Sequence, residues 1–124
     1  MAETEPEQRF ETFEQFWPFY LGEHSLPATR WLHFAGSSIA LLQFVTLVAT
    51  LRFWMLPAVL ISGYGFAWFA HFFVEKNKPA TFKYPLWSFI GDWKMWSLML
   101  TGRLQSELDR HRVVPKLPKT AARA

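Results

Sequence analysis

The sequence predicts an all-α integral membrane protein: a transmembrane helical hairpin, an N-terminal amphipathic helix before it, and a third interfacial or membrane helix after it. Three observations lead there. Of the 124 residues, 51% are hydrophobic and 19% aromatic, with seven Trp and thirteen Phe. A soluble domain of this size has too little interior to hide so many large rings. Two uncharged runs then sit back to back, Phe34 to Leu51 and Phe53 to Val74, eighteen and twenty-two residues long, with only Arg52 between them. Each is near the ~20 residues that cross a bilayer core, and neither alternates as a strand would.

The elements follow in order within one domain, 1–124. Residues 1–9 are polar and expected to be a flexible tail, as are residues 113–124. Phe10 to Gly22 reads as an amphipathic helix, because Phe10, Phe13, Trp17, Tyr20 and His24 recur in steps of three and four. Pro18 should kink or split it. Gly22 and Pro27 argue for a break before the next element. The hairpin is expected over 34–51 and 57–75, with Pro57 in the first turn of its second helix. The competing reading, a buried hairpin in a soluble bundle, is disfavoured by the adjacency of two charge-free runs.

Tyr84 to Leu100 is a third apolar segment, interrupted by Asp92 and Lys94. Trp87, Trp93 and Trp96 suit an interfacial belt. If the hairpin alone spans, twelve Lys and Arg fall on one side and Arg52 alone on the other; with three spans the split is five to seven. The positive-inside rule favours the first arrangement. Both termini are then cytosolic, in a bacterial inner membrane or the endoplasmic reticulum. From Thr101 the chain is a basic tail with six bases and two acids. Beside apolar segments, that pattern suits the anionic lipid of a bilayer and not nucleic acid. The acidic first fifteen residues lack an apolar stretch, so no cleavable signal peptide is expected, and there is no internal repeat.

Function classes narrow next. Cysteine is absent, which excludes disulfides, thiolate metal sites and a cysteine nucleophile. Four histidines remain. His33 stands just before the first span. His71 and Glu75 stand near the end of the second, four apart on one helical face. Folding the hairpin brings His33, His71 and Glu75 to one depth on one side, and His24 on the preceding amphipathic stripe can join them. Imidazoles with a carboxylate form a ligand set for Zn, Fe, Cu or Ni, and two His with one carboxylate and open positions suit non-haem Fe(II). Ionisable groups at membrane depth are functional candidates by default.

Plainer readings stand beside this one. A single His at a span end is an interfacial hydrogen-bonder, His71 and Glu75 can be a simple helical pair, and Glu75 can pair with Lys78. His24 can cap the broken helix. Asp92 can be a ligand, an interfacial charge near Lys94, or a hydrogen-bond partner behind a ligating histidine, the last being preferred. His111 lies between Arg110 and Arg112, where repulsion opposes cation binding, and is expected to be solvated.

The segments F-W-P-F-Y-L-G-E-H-S-L-P-A-T-R-W-L-H-F-A-G from Phe16 to Gly36, A-H-F-F-V-E-K-N-K-P-A from Ala70 to Ala80, and G-D-W-K-M-W-S-L-M-L-T-G-R-L from Gly91 to Leu104 resemble a known membrane family. It was long catalogued as a domain of unknown function, and its characterised fungal member is a metal-dependent 2-hydroxy fatty acid dioxygenase. The likeness covers about residues 10–110 and is nearest to short bacterial-type members. It rests on H-x8-H-x2-G and H-x3-E-x3-P-A occurring in this order. The family often has Asn and Gly where this chain has Thr29 and Ala70.

The resemblance implies an Fe2+ enzyme of fatty acid α-oxidation that uses O2 to shorten a 2-hydroxy fatty acid by one carbon. His24, His33, His71 and Glu75 match the motif as metal ligands. Arg30 and Lys78 are placed to steer the substrate carboxylate. The alternatives are another metal-dependent lipid-modifying membrane enzyme, or a non-enzymatic scaffold or transporter subunit. A desaturase-like di-iron enzyme would need more than four histidines.

Overall fold

The computed structural model describes residues 10–114. The expectations for residues 1–9 and 115–124 lie outside the described residues. Five helices follow one another: α1 (Phe13–Glu23), α2 (Pro27–Thr50), α3 (Leu56–Phe69), α4 (Pro85–Leu100) and α5 (Leu104–Arg110). Among the described residues there is no strand.

α1 begins where Thr12 accepts from the Gln15 N–H at 3.2 Å while the Gln15 side chain accepts from the Glu11 N–H at 3.1 Å. Such a cap contributes about 1 kcal/mol. The helix continues through Pro18 and is not split. Pro18 falls in the second turn, and the carbonyl deprived of its partner belongs to exposed Glu14, where water can replace the lost donor. The buried stripe is Phe16, Trp17, Tyr20 and Leu21, continuing to His24.

α2 starts at Pro27, seven residues before the expected start at residue 34. Proline at the first helical position sets the boundary, because its missing N–H would be unpaired there anyway. Arg30 and His33 therefore sit inside the helix. α2 ends at Leu51, whose φ of 55° reverses the chain. A single 3-10 turn, Phe53–Met55, leads into α3. α2 and α3 approach closely at Gly36, where a Cβ would lie 2.5 Å from Phe66 Cβ and 2.8 Å from the Ser62 carbonyl oxygen. Only glycine permits that contact, which is typical of helix pairs in lipid.

Two helical stretches, Pro27–Thr50 and Phe53–Glu75, are long and apolar enough to cross a membrane. Only 22% and 11% of their most apolar windows are buried within the protein, unlike the core helix of a soluble fold. Leu42, Trp54 and Ile61 are each about 70% exposed. α4 has sixteen residues and is not among these two stretches. It crosses α2, where Trp96 stacks on Phe34 at 6.0 Å and donates to Ser38 Oγ at 3.0 Å.

α1 packs its stripe against Met95 of α4, Ala80, and Leu104 and Leu108 of α5. Lys94 lies 4.4 Å from the Trp17 ring centroid, and Trp17 Nε1 donates to Glu107 at 3.0 Å. The chain from Thr101 is thus not simply a tail: α5 is docked, and the Val113 N–H donates to the Leu108 carbonyl at 2.9 Å. Leu104 and Leu108, four apart on one face, provide the docking surface.

Candidate metal centre

Three elements deliver one imidazole each to a common point. His24 ends α1, His33 sits two turns into α2, and His71 lies in the widened π-type turn Ala70–Glu75 that closes α3. Such wide turns occur frequently at functional sites. Their Nε2 atoms form a triangle: His24 to His33 3.1 Å, His33 to His71 3.3 Å, and His71 to His24 3.0 Å. All three rings are buried.

The outward nitrogens explain why the Nε2 atoms face inward. His24 Nδ1 lies 2.7 Å from the Tyr20 carbonyl oxygen, which can only accept, so Nδ1 carries the proton. His71 Nδ1 lies 2.6 Å from Asn77 Oδ1. The Asn77 amide is oriented by its NH2 group, which donates to the Glu23 carbonyl oxygen at 3.0 Å and to the Glu23 carboxylate. His71 Nδ1 is therefore also the donor. His33 Nδ1 lies 3.8 Å from Asp92 Oδ1. A carbonyl, an amide oxygen and a carboxylate behind three imidazoles is the arrangement that orients metal-ligating histidines.

The tautomers leave lone pairs converging on one point, which is repulsive without a cation between them. Two nitrogens at about 2.0–2.1 Å from one ion stand roughly 2.8–3.0 Å apart in octahedral geometry and about 3.3–3.4 Å apart in tetrahedral geometry. The observed separations of 3.0–3.3 Å fit. Burial, followed by the facing rings of His33 and His71, holds the His24 imidazole well below its usual pKa. It is neutral, as a ligand must be.

Glu75 does not join the group of His24, His33 and His71. Its Oε1 accepts from the Leu26 N–H at 2.5 Å, and its Oε2 accepts from Ser25 Oγ at 3.2 Å. The carboxylate thus caps the N-terminus of α2, where the helix dipole favours a negative charge. It is engaged by the α1–α2 link, apart from the cluster of three imidazoles. Arg30 lies in the first turn of α2. It is buried, and its Nη1 donates to the carbonyls of His24 and Ser25 at 2.9 Å each, tying the α1–α2 link. Lys78 is exposed in the following loop and is not among the residues that line the cavity at the triad. His111 is half-buried, with Nε2 3.4 Å from Glu107 Oε2, far in sequence and place from the triad.

Beside the triad is a cavity of about 10 Å³ whose walls include Tyr20, Ala80, Ser88 and Asp92. That volume holds about one water molecule. Ser88 Oγ is buried and has no hydrogen-bond partner among the described residues. The Tyr20 hydroxyl donates to Asp92, and the Tyr20 ring stacks on His24 at 4.2 Å. Burial pushes the Asp92 carboxyl up to about 7, against the lowering effect of the Tyr20 hydrogen bond. Tyr20, Asn77 and Ser88 were not assigned roles from sequence. Tyr20 carried a signal, one helical turn before His24 on the same stripe. Ser88 likewise lies one turn before Asp92. Asn77 carried none.

A protein-family model described as 2-hydroxy-palmitic acid dioxygenase Mpo1-like matches residues 10–104. No curated protein and no solved structure matches the chain.

Proposed function

The chain belongs to the Mpo1-like family of 2-hydroxy-palmitic acid dioxygenases, and on that premise we propose that it is a membrane-embedded, Fe(II)-dependent enzyme that shortens 2-hydroxy fatty acids by one carbon. The observation that carries this reading is the triad of inward Nε2 atoms 3.0–3.3 Å apart. A scaffold or transporter subunit has no need for three buried imidazoles with lone pairs converging on one point.

His24, His33 and His71 would hold the ion. When bound, Fe(II) supplies redox chemistry and open coordination positions beside the three nitrogens. The reaction balances without a further reductant: a 2-hydroxy acid and one O2 give the acid one carbon shorter, CO2 and water. The bond between C1 and C2 breaks, and O2 takes up the four electrons.

The chain's own groups set the stage. The Tyr20 carbonyl and Asn77 amide keep Nδ1 of His24 and His71 protonated and their Nε2 atoms aimed inward. Asp92 stands behind His33 and is held by the Tyr20 hydroxyl. Ser88 Oγ offers a buried hydroxyl to a water or a substrate oxygen in the small cavity. The apolar walls from Ala67 and Ala80 exclude bulk water, which strengthens each of these polar interactions.

The same reading places α2 and the Phe53–Glu75 stretch across a bilayer, with lipid against their exposed apolar faces. The triad then lies at the face that carries twelve of the thirteen Lys and Arg.

The test is anaerobic purification followed by metal analysis, then air and 2-hydroxypalmitate. Iron near one equivalent, O2 uptake and a product one carbon shorter are expected. Full metal occupancy without turnover on any 2-hydroxy acid would reject the reaction while leaving the metal centre in place.

A further inference from the structure

A second cavity, of about 130 Å³, opens between α2, α3 and α4. Ala40, Leu60, Gly63 and Phe89 line it, and His33 and Asp92 close one end. His33, Tyr64 and Asp92 also line the small cavity at the triad, so the two adjoin along these side chains. Ala40 is seven residues beyond His33 on α2, so the groove runs about 10 Å from the metal centre toward the hairpin turn. It is narrow where Gly63 faces Ala40. A Cβ added at Gly63 would meet only Ala40 Cβ, at 3.7 Å, within 4 Å.

We infer that this groove receives the acyl chain of the substrate, and that Gly63, opposite Ala40, sets the length of chain it accepts. The inference rests on the dioxygenase reading for the nature of the head group. Its own support is that a ligating histidine, His33, stands in the wall of a largely apolar groove. An acyl chain in the groove places its polar end at His33 and its tail among apolar side chains. The open depression on the outer side of α3, at Ile61, Gly65 and Trp68, shares Tyr64, Trp68 and Thr81 with the triad cavity, but no histidine lines it. A chain lying there would meet these side chains before the triad, whereas the groove has His33 in its own wall.

Burying a methylene contributes about fourfold in affinity, so a blocked groove should be read most clearly with long acids. Leucine at Gly63 would fill the groove. It would also favour the helix, since glycine is the poorer helix former. Gly65→Leu on the outer depression is the matched control, because a Cβ there meets only Ile61 Cγ2, at 3.9 Å.

The experiment uses the full chain in lipid nanodiscs. Binding of 2-hydroxy acids from octanoic to stearic is measured without O2, by competition against radiolabelled 2-hydroxypalmitate. A second arm cross-links 2-hydroxypalmitate bearing a terminal diazirine and maps the adduct by mass spectrometry. Gly63→Leu should lose at least tenfold in affinity for the long acids and little for the shortest, with Gly63→Ala intermediate. Gly65→Leu should track the unsubstituted protein, and the label should fall on groove residues such as Val59 or Phe89. An unchanged profile in Gly63→Leu, a shift in Gly65→Leu instead, or a label on outward-facing Phe69 or Phe73 would overturn the groove assignment. A shifted profile and groove label without O2-dependent shortening would keep the groove and overturn the dioxygenase reading.

Discussion

His71 Nδ1 donates to Asn77 Oδ1 at 2.6 Å, joining residues six apart across the turn that ends α3. Backbone geometry builds this contact. The N–H groups of Lys76 and Asn77 both bond to the His71 carbonyl oxygen, and Lys76 adopts φ 62° to allow it. Asn77 also donates to Glu23 at the end of α1, so one side chain fixes His71 and links two of the three elements of the triad.

Replacing Asn77 with Ala should therefore weaken metal binding without removing a ligand. Loss of an outer partner of a ligating histidine costs about 10–100-fold in metal affinity or activity. Competition with a metal chelator measures it. Unchanged affinity in Asn77→Ala would show that His71 needs no such support.

Glu75 separates a ligand from a structural cap. Its carboxylate bonds to Leu26 N–H and Ser25 Oγ, so Glu75→Ala should leave these buried donors unpaired, at a cost of about 1–3 kcal/mol each. The expected outcome is a lower Tm in detergent with metal still bound near one equivalent. Metal loss in a variant of normal Tm would restore Glu75 as a ligand.

The hairpin was legible because charge is absent from two long runs and Pro57 marks the start of the second. The start of α2 was read late because the eye follows charge, and Arg30 looks like an end to the span. It is buried instead, its charge engaged by two carbonyls of the chain reversal before α2. α5 was hidden because Leu104 and Leu108 stand among bases and acids that read as a solvated tail. The convergence of His24, His33 and His71 followed from counting residues out from the turn. The contacts of Glu75 did not, because the Ser25 hydroxyl and Leu26 N–H reach it only once the α1–α2 link folds against the end of α3. Asn77 owes its role to contacts made only after folding, and no spacing in the sequence signals it.

Asp92 provides a pH dependence in metal-free protein. Its carboxyl is raised to about 7 in the fold, chiefly by burial, from an ordinary value of 3.8. Below about 4 both folded and unfolded forms are protonated, and there is no penalty. Between about 4 and 7 the unfolded chain is ionised while the folded one resists ionisation, so stability falls as pH rises, by an amount on the order of a few kcal/mol. The buried His24 imidazole, held well below its usual pKa, works in the opposite direction over this range, because the unfolded chain binds a proton there that the folded one does not. The Asp92 contribution is therefore read as a difference: in metal-free protein the Tm of Asp92→Asn should rise relative to that of the unsubstituted chain from pH 4 to 7. A Tm difference that does not change with pH would locate the titrating group elsewhere.

Topology is tested by tags. With Arg52 alone at the hairpin turn and the other twelve bases outside the two candidate spans, the positive-inside rule predicts both termini in the cytosol. A reporter fused at the C-terminus should be shielded from outside reagents in intact cells, and a cysteine placed at Arg52 should be labelled. A C-terminal reporter reached from outside would require α4 to span as well.

The centre itself is tested by His71→Ala against His111→Ala. His71 Nε2 lies 3.0 Å from that of His24 and 3.3 Å from that of His33, so its loss opens one side of the triangle. Removal of a ligand should exceed the 10–100-fold cost of losing an outer partner. Metal content should fall to background, and O2-dependent shortening of 2-hydroxypalmitate should cease. His24→Ala and His33→Ala should behave alike, since each supplies one corner. His111 sits beside Glu107 on α5, outside the triad, so His111→Ala should keep both metal and turnover. Anaerobic reconstitution with Fe(II), then air and substrate, with product length read by mass spectrometry, compares the four variants directly. Equal metal content in His71→Ala and His111→Ala would refute the assignment of the triad, whatever the activity. Loss of metal in His71→Ala with shortening intact would keep the site and detach the chemistry from it.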